Sequence, residues 1–196
     1  VARPRGVGAH RVALPDRHAD HVAGLVGLVD AISVGRLWGP PHAGDGELLS
    51  VLMAQAEAAA IPVEVPEPGW RAGVGAFTIE VLGPLRHYAS PNDESIVLMV
   101  EAAGSTALLP GDIELVAQGE LGPLPADVMK VPHQGAATSD PEWLMASVGS
   151  VAVVSVGPNT FGHPSDGVID LLTASGATVY RTDKDGDVVI RFGSLR

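Results

Sequence analysis

Potential metal ligands are densest in one short stretch near the start of the chain. Asp16, His18, Asp20 and His21 follow an apolar segment, residues 12–14, that is predicted to be a strand. Carboxylate and imidazole groups at this spacing can bind two divalent ions a few ångström apart, an arrangement that hydrolyses phosphoesters and amides. The alternative is a solvated polar loop, but so dense a cluster of ligands favours a metal site.

Three later residues could complete such a site. Asp112, His133 and His163 each come shortly after a predicted strand. Considered alone, each of these residues could equally be a turn, cap or structural loop residue rather than part of a metal site. Because strand ends converge on the active centres of α/β enzymes, their shared position favours one common site.

Composition limits the chemistry that this site can use. The 196 residues are 46% hydrophobic and include no cysteine, so a bound metal must be held by imidazole and carboxylate groups. The net charge of −11 argues against a broad basic surface for nucleic acid. No apolar run reaches the roughly 18 residues of a membrane span, and the first residues do not form a signal peptide.

The chain alternates short strands and helices, which predicts a single α/β or α+β domain over residues 1–196 with a mobile lead-in at 1–11. Apolar spacing and breaker residues set the predicted bounds. Helices are predicted at 22–31, 47–60, 113–121, 139–143 onwards and 165–175. Strands are predicted at 12–14, 31–37, 61–65, 77–82, 95–101, 105–109, 127–131, 151–156, 178–181 and 188–192.

Several motifs resemble those of the metallo-β-lactamase superfamily. They are Asp-x-His-x-Asp-His-x-x-Gly-Leu from Asp16, Asn-Asp-Glu-Ser-Ile-Val-Leu from Asn92, and Leu-Pro-Gly-Asp-Ile-Glu from Leu109. Three more are similar to the C-terminal hydrolase domain of ComEC-type DNA-uptake proteins. These are Asp-Val-Met-Lys-Val-Pro-His-Gln-Gly from Asp127, Ser-Val-Gly-Pro-Asn-Thr-Phe-Gly-His-Pro from Ser155, and Arg-Thr-Asp-Lys-Asp-Gly from Arg181. The resemblance extends from about Val12 onwards.

This resemblance implies a four-layer αββα sandwich with two divalent ions, manganese or zinc, at the edge between the sheets. Asp16 and His18 would bind one ion, Asp20, His21 and His133 the other, and Asp112 would bridge them. The implied reaction is two-metal phosphodiester hydrolysis, with Asp20 among the catalytic residues. His163 would protonate the leaving oxygen or hold the phosphate. Lys130, Arg181 and Asn159 are further candidates for contact with the substrate. Lys130 is also a candidate catalytic residue.

The chain departs from the family pattern at several positions. Asp16 stands where most members have histidine, and Asn92 and Asp93 stand where many have another histidine. An oxygen-rich first site should favour manganese over zinc. Gln134 replaces a second histidine that the ComEC branch often has, and Phe161 replaces a tyrosine.

The strands that open the family's fold are not found before the ligand-rich stretch. Either the chain is a fragment of a larger membrane protein or these strands are absent, which would leave an exposed sheet edge and favour a homo-oligomer. The resemblance also implies that DNA is the substrate, that the membrane channel of the parent protein is the partner, and that the domain is soluble and extracytoplasmic.

Two classes of function therefore stay open. The first is a metal-dependent nuclease or phosphodiesterase that degrades the DNA strand not taken up. The second is a degenerate, non-catalytic module that keeps the fold. A different superfamily hydrolase is a weaker alternative.

Overall fold

A computed structural model describes residues 8–9, 11–39 and 46–193. The strands are β1 (Gly8–Ala9), β2 (Val12–Ala13), β3 (Ser33–Val34), β4 (Leu37–Trp38), β5 (Val63–Glu64), β6 (Arg71–Val74), β7 (Phe77–Gly83), β8 (Val97–Ala102), β9 (Ser105–Leu109), β10 (Ala126–Lys130), β11 (Val148–Val154) and β12 (Thr178–Arg181). The helices are α1 (Ala19–Ala31), α2 (Glu47–Ala58), α3 (Leu115–Leu121), α4 (Pro141–Ser147), α5 (Asp166–Ala174) and α6 (Thr182–Asp185), with a short 3₁₀ turn at Pro132–Gly135.

The larger sheet has seven strands in the order β12-β11-β10-β9-β8-β7-β6. Strands β6 to β9 are antiparallel, whereas β9 to β12 are parallel. The carboxyl ends of the parallel strands therefore lie along one edge, where the loops that follow them meet.

The smaller sheet is parallel, in the order β2-β4-β5, and β1 pairs with β3 beside it. Helices α1 and α2 cover one face of this sheet, where Leu14, Val22 and Leu52 are fully buried. On the other face, Trp38 packs with Val81 of the larger sheet. The outer face of the larger sheet packs against α3, α4 and α5. The layer order is therefore αββα, as the family resemblance implies.

The segment that follows α6 covers part of the larger sheet's inner face. Ile190 and Phe192 pack against Ala107, Val128 and Val151, which lie on β9, β10 and β11. Phe192 also meets Phe77 edge to face, with ring centroids 5.4 Å apart. The segment after α6 thus covers the centre of the sheet where the smaller sheet does not reach.

Several element predictions need correction. The predicted strand 31–37 is split into β3 and β4, which pair with different partners. Residues 188–192 form no strand, although Ile190 and Phe192 pack against the sheet, and β6 lies in a stretch predicted to be turns. Of the predicted mobile lead-in, residues 8–9 form β1, and residues 1–7 and 10 lie outside the described residues.

Within the described ranges, no helix is both long and apolar enough to cross a membrane.

Candidate metal centre

The ligand-rich stretch spans a loop and the first turn of a helix. Asp16 follows β2, His18 is the N-cap residue of α1, and Asp20 and His21 lie in the first turn. The sequence analysis placed this helix start later, at Val22. An acidic residue in the first turn favours helix formation there, because it interacts favourably with the helix dipole.

Three of these side chains meet at one point. Asp16, His21 and Asp112 each offer a ligand atom within 4.8 Å of the others. His21 Nε2 lies 3.0 Å from Asp112 Oδ2 and 3.7 Å from Asp16 Oδ2. Both carboxylates are buried. The structure thus groups His21 with Asp16, whereas the resemblance implied that these two residues bind different ions.

Burial and charge shift the protonation of this cluster. Burial acts to raise the pKa of Asp112, but the hydrogen bond from His21 and the charge of Lys130 outweigh it and lower that pKa to about 2. Burial raises the pKa of Asp16 above its ordinary value. For His21, burial acts to lower the pKa, but the hydrogen bond to Asp112 and the nearby carboxylates raise it overall.

These residues fit a divalent cation. Oδ1 of Asp112 is buried and has no hydrogen-bond partner among the described residues. A buried carboxylate oxygen without a partner is costly unless a cation or other group completes its surroundings. Oxygen and imidazole nitrogen donors suit manganese and zinc.

His18 and Asp20 flank the three-residue cluster. His18 donates its backbone N–H to Asp16 Oδ1 at 2.9 Å, and its Nδ1 lies 3.4 Å from the same oxygen. Asp20 Oδ2 lies 3.7 Å from His21 Nε2 and accepts a hydrogen bond from Gln134 at 2.7 Å. Gln134 therefore orients a candidate ligand from the position where the family often has histidine.

His133 lies beside the cluster in the 3₁₀ turn, in a left-handed conformation with φ of 46°. Its Nδ1 lies 3.1 Å from Glu114 Oε1 and 3.4 Å from Asn92 Nδ2. Histidines that bind metals almost always contact a carboxylate or carbonyl through the other ring nitrogen. Glu114, as the carboxylate acceptor, is thus an orienting group that the sequence analysis did not assign.

His163 is linked to this region through His133. The two imidazole centroids are 5.2 Å apart. Burial, and then the nearby His133, lower the pKa of His163 below its usual value.

The remaining candidates have partners of their own. Lys130 Nζ lies 3.5 Å from Asp112 Oδ1 and donates to the carbonyl of Gly111. The guanidinium of Arg181 pairs with Asp183 at 2.8 Å, and the side chain of Asn159 is bonded to the backbone of its own loop. Of the three, only Lys130 contacts the cluster directly in the described structure.

Ser95 is a site residue that the sequence reasoning missed. Its Oγ accepts a hydrogen bond from the Asp112 N–H at 3.0 Å and lies 3.4 Å from Asp16 Oδ2. The only sequence signal is its place in the family-like stretch from Asn92. Nothing in its residue type or spacing indicates that it lies between two carboxylates.

Comparison with known proteins agrees with this geometry. Residues 18–145 match the family model of the metallo-β-lactamase superfamily. A stretch of 110 residues is 33% identical to ComE operon protein 3 of Bacillus subtilis (strain 168), which confirms the resemblance to ComEC-type proteins. It covers 53% of this chain but only 14% of that protein.

Two solved structures share the fold. CmlA, a diiron β-hydroxylase from Streptomyces venezuelae, aligns with a TM-score of 0.60 at 15% identity, covering 92% of this chain and 44% of CmlA. Zn²⁺-bound PqqB from Methylobacterium extorquens gives a TM-score of 0.54 at 15% identity, covering 92% of this chain and 74% of PqqB. The family match, over more than half of the chain, identifies this protein as a member of the metallo-β-lactamase superfamily.

Proposed function

We propose that this chain is a metal-dependent phosphodiesterase, specifically a nuclease that degrades the non-transported DNA strand during DNA uptake. The observation that carries this proposal is the convergence of Asp16, His21 and Asp112, with one buried oxygen of Asp112 left without a hydrogen-bond partner. The similarity to ComE operon protein 3 supports a ComEC-type parent. By that resemblance, the partner would be the membrane channel of the same protein.

The ligands in this proposal are those that the family pattern implies. Asp16 and His18 would hold one divalent ion, Asp20, His21 and His133 would hold a second, and Asp112 would contribute to both sites. His21 also lies 3.7 Å from Asp16, so the two sites would adjoin. When bound, such ions act as Lewis acids on a phosphoryl oxygen and lower the pKa of water to roughly 7.

The chain's own residues position the phosphodiester. A groove of about 460 Å³ lies beside the cluster and is lined by Asp20, His21, Lys130, Gln134, Ser155, Val156, Gly157, Pro158 and Thr182. Lys130 offers a cation for a phosphate oxygen at the point where this groove meets Asp112. His163 supplies an imidazole from the loop that borders the groove, to hold the phosphate or protonate the leaving oxygen.

A non-catalytic module is the second candidate function, and one contact favours it. The ammonium group of Lys130 forms an ion pair at 3.5 Å with Asp112 Oδ1, the buried oxygen that has no hydrogen-bond partner among the described residues. A fixed cation at that distance competes with a bound metal ion for the same carboxylate. Metal affinity therefore separates the two candidate functions.

The deciding experiment measures metal binding and DNA cleavage on one preparation. Metal-free protein is titrated calorimetrically with Mn²⁺ and with Zn²⁺, and then incubated with end-labelled DNA. The test variant is Asp112→Asn, which keeps the shape of the side chain and removes its charge. The matched control is Asp170→Asn, at an exposed position on α5.

The nuclease proposal predicts metal-dependent cleavage that Asp112→Asn abolishes and Asp170→Asn retains. We also expect Asp112→Asn to lower metal affinity by more than the roughly 10- to 100-fold typical of outer-shell changes. Folded wild-type protein that binds neither ion and cleaves no DNA would refute the nuclease proposal and favour the non-catalytic module.

A further inference from the structure

An exposed phenylalanine lies against the imidazole of His163. The side chain of Phe161 is 81% exposed, the largest value among the exposed large hydrophobic residues. Its ring stacks on the His163 ring, with centroids 5.9 Å apart and planes inclined by 21°. One face of the ring is therefore supported by the imidazole, and most of the remainder is open to solvent.

The loop around this ring is held by its own hydrogen bonds. Asn159 Oδ1 accepts the backbone N–H groups of Phe161 and His163, each at 3.1 Å. Asn159 Nδ2 donates to the carbonyls of Gly157 and His163 at 3.0 and 2.8 Å. Two ring-bearing residues two positions apart are thus fixed relative to each other, so the exposed aromatic face is preorganised.

The same loop borders the groove at the metal centre. Gly157 and Pro158 line that groove together with Lys130. At the other end of the loop, the ring of His163 contacts the ring of His133. A polynucleotide that follows this groove with a phosphate at the cluster passes this loop, and Phe161 is the exposed aromatic residue of the loop.

We propose that Phe161, supported by His163, stacks on an unpaired nucleobase next to the scissile phosphate, so that the substrate is single-stranded. This inference rests on the proposed nuclease function. A base within a duplex has both faces covered by its neighbours, whereas an unpaired base offers a free face to an aromatic side chain. Single exposed apolar side chains are common on proteins, but this ring is stacked on a candidate site residue.

The experiment compares two apolar substitutions of Phe161, one without an aromatic ring and one with a larger ring. Phe161→Leu keeps an apolar side chain without a π-face, and Phe161→Trp enlarges that face. Phe77→Leu is the matched control, because Phe77 pairs with Val74 and lies level with the turn between β8 and β9, at the end of the sheet opposite Asp112. Circular dichroism verifies that each variant is folded.

Binding is measured in EDTA, so that no cleavage occurs, by fluorescence anisotropy. The two ligands are a labelled single-stranded thymidine oligonucleotide and an abasic strand of the same length with tetrahydrofuran in place of the nucleosides. A third strand containing 2-aminopurine reports stacking directly through fluorescence quenching. Cleavage of the thymidine and abasic strands is then measured with Mn²⁺.

Stacking predicts that Phe161→Leu binds the thymidine strand about 5-fold more weakly or worse, and quenches 2-aminopurine less. Phe161→Trp and Phe77→Leu should resemble wild type, and all variants should bind the abasic strand alike. The inference is overturned if Phe161→Leu binds thymidine strands as wild type does, or if it loses affinity for abasic strands equally. It is also overturned if the wild type binds both strands equally.

Failure of the nuclease proposal and failure of the stacking proposal give different results in these measurements. If the wild type shows base-dependent binding and quenching but cleaves no strand with Mn²⁺, the nuclease proposal fails and the stacking site stands. If it cleaves DNA but Phe161→Leu changes neither binding nor quenching, the nuclease proposal stands and the stacking site fails.

Discussion

The hydroxyl of Ser95 links the backbone of Asp112 to the buried carboxylate of Asp16. It accepts the backbone N–H of Asp112 and lies beside Asp16. Groups of this kind do not bind the metal themselves, but they fix the orientation of the groups that do. Ser95 should therefore affect metal affinity as well as stability.

We predict that Ser95→Ala lowers divalent-metal affinity roughly 10- to 100-fold. It should also lower the free energy of unfolding by about 1–3 kcal/mol, because the buried N–H of Asp112 loses its acceptor. Calorimetric titration with Mn²⁺ and urea denaturation measure the two effects. Ser150→Ala, at an exposed hydroxyl that donates to the carbonyl of Asp127, is the control for both. Unchanged metal affinity in a destabilised Ser95→Ala variant would limit Ser95 to a structural role.

Gly111 precedes Asp112 in a conformation that other residues rarely adopt. Its φ is +62°, and a Cβ added there would lie 2.5 Å from Ser95 Cβ. Gly104 also has a positive φ, +75°, but an added Cβ would meet nothing within 4 Å. The two glycines thus separate the cost of the backbone conformation from the cost of crowding.

We predict that Gly104→Ala costs about 1–2 kcal/mol of unfolding free energy, from the left-handed backbone alone. Gly111→Ala should cost about 1–3 kcal/mol more, because the added methyl overlaps Ser95. Urea denaturation monitored by tryptophan fluorescence measures both values. Equal losses in the two variants would mean that the loop moves away from Ser95 at little cost.

The sequence indicates the candidate metal ligands, but it does not indicate the groups that orient them. Asp16, His21 and Asp112 were predicted because metal ligands have distinctive types and spacing. Serine and glutamate are common residue types with many roles. Ser95 and Glu114 contact the candidate ligands only because folding brings together residues that are distant in sequence. The grouping of His21 with Asp16 depends on where α1 begins, and that boundary was predicted a few residues late.

At the scale of elements, helix ends differ in how they are capped. Asp140 caps α4, since its Oδ1 accepts the backbone N–H groups of Glu142 at 2.8 Å and Trp143 at 3.4 Å. Ser165 occupies the same position before α5, but its side chain makes no capping hydrogen bond. Aspartate and serine are both residue types that commonly cap helices, and only the structure distinguishes the two positions.

Asp140→Ala should therefore lower the free energy of unfolding by about 0.5–2 kcal/mol. Ser165→Ala should change it by no more than about 0.5 kcal/mol, because no capping bond is lost. Thermal and urea denaturation of both variants beside wild type test this difference. A loss at Ser165 as large as that at Asp140 would contradict the assignment of the caps.

The predicted strands 95–101 and 105–109 correspond to the hairpin of β8 and β9, because two apolar segments flank a tight turn that contains Gly104. The strand prediction failed between residues 31 and 37, where β3 and β4 belong to different strand pairs. Two-residue strands are too short to show a period, so their limits depend on the partner strands, which are distant in sequence.

For the whole molecule, the net charge of −11 opposes binding of a polyanion. Part of this charge comes from the carboxylates of the candidate centre, which bound cations would offset locally. Under the proposed function, DNA would therefore bind through groups at the site, such as Lys130 and the exposed ring of Phe161, rather than through a general basic surface.

The segment after α6 completes the packing between the layers. The apolar residues at 188–190 and 192 predict a strand, and the structure instead places this segment over the larger sheet without pairing it. A pattern of this kind indicates an extended segment, but it does not reveal whether the backbone joins a sheet. Phe192 and Ile190 face the sheet, whereas Val189 is 76% exposed.

This arrangement predicts that Phe192→Ala lowers the free energy of unfolding by about 1–3 kcal/mol, less than a fully buried phenylalanine would lose. The substitution removes the contacts with β9 to β11 and the edge-to-face contact with Phe77. Val189→Ala, on the exposed side of the same segment, should change stability by no more than about 0.5 kcal/mol. Urea denaturation of both variants, followed by tryptophan fluorescence, measures the difference. If the two variants are equally stable, the segment does not protect the sheet, and the inner face of β9 to β11 must be covered in another way.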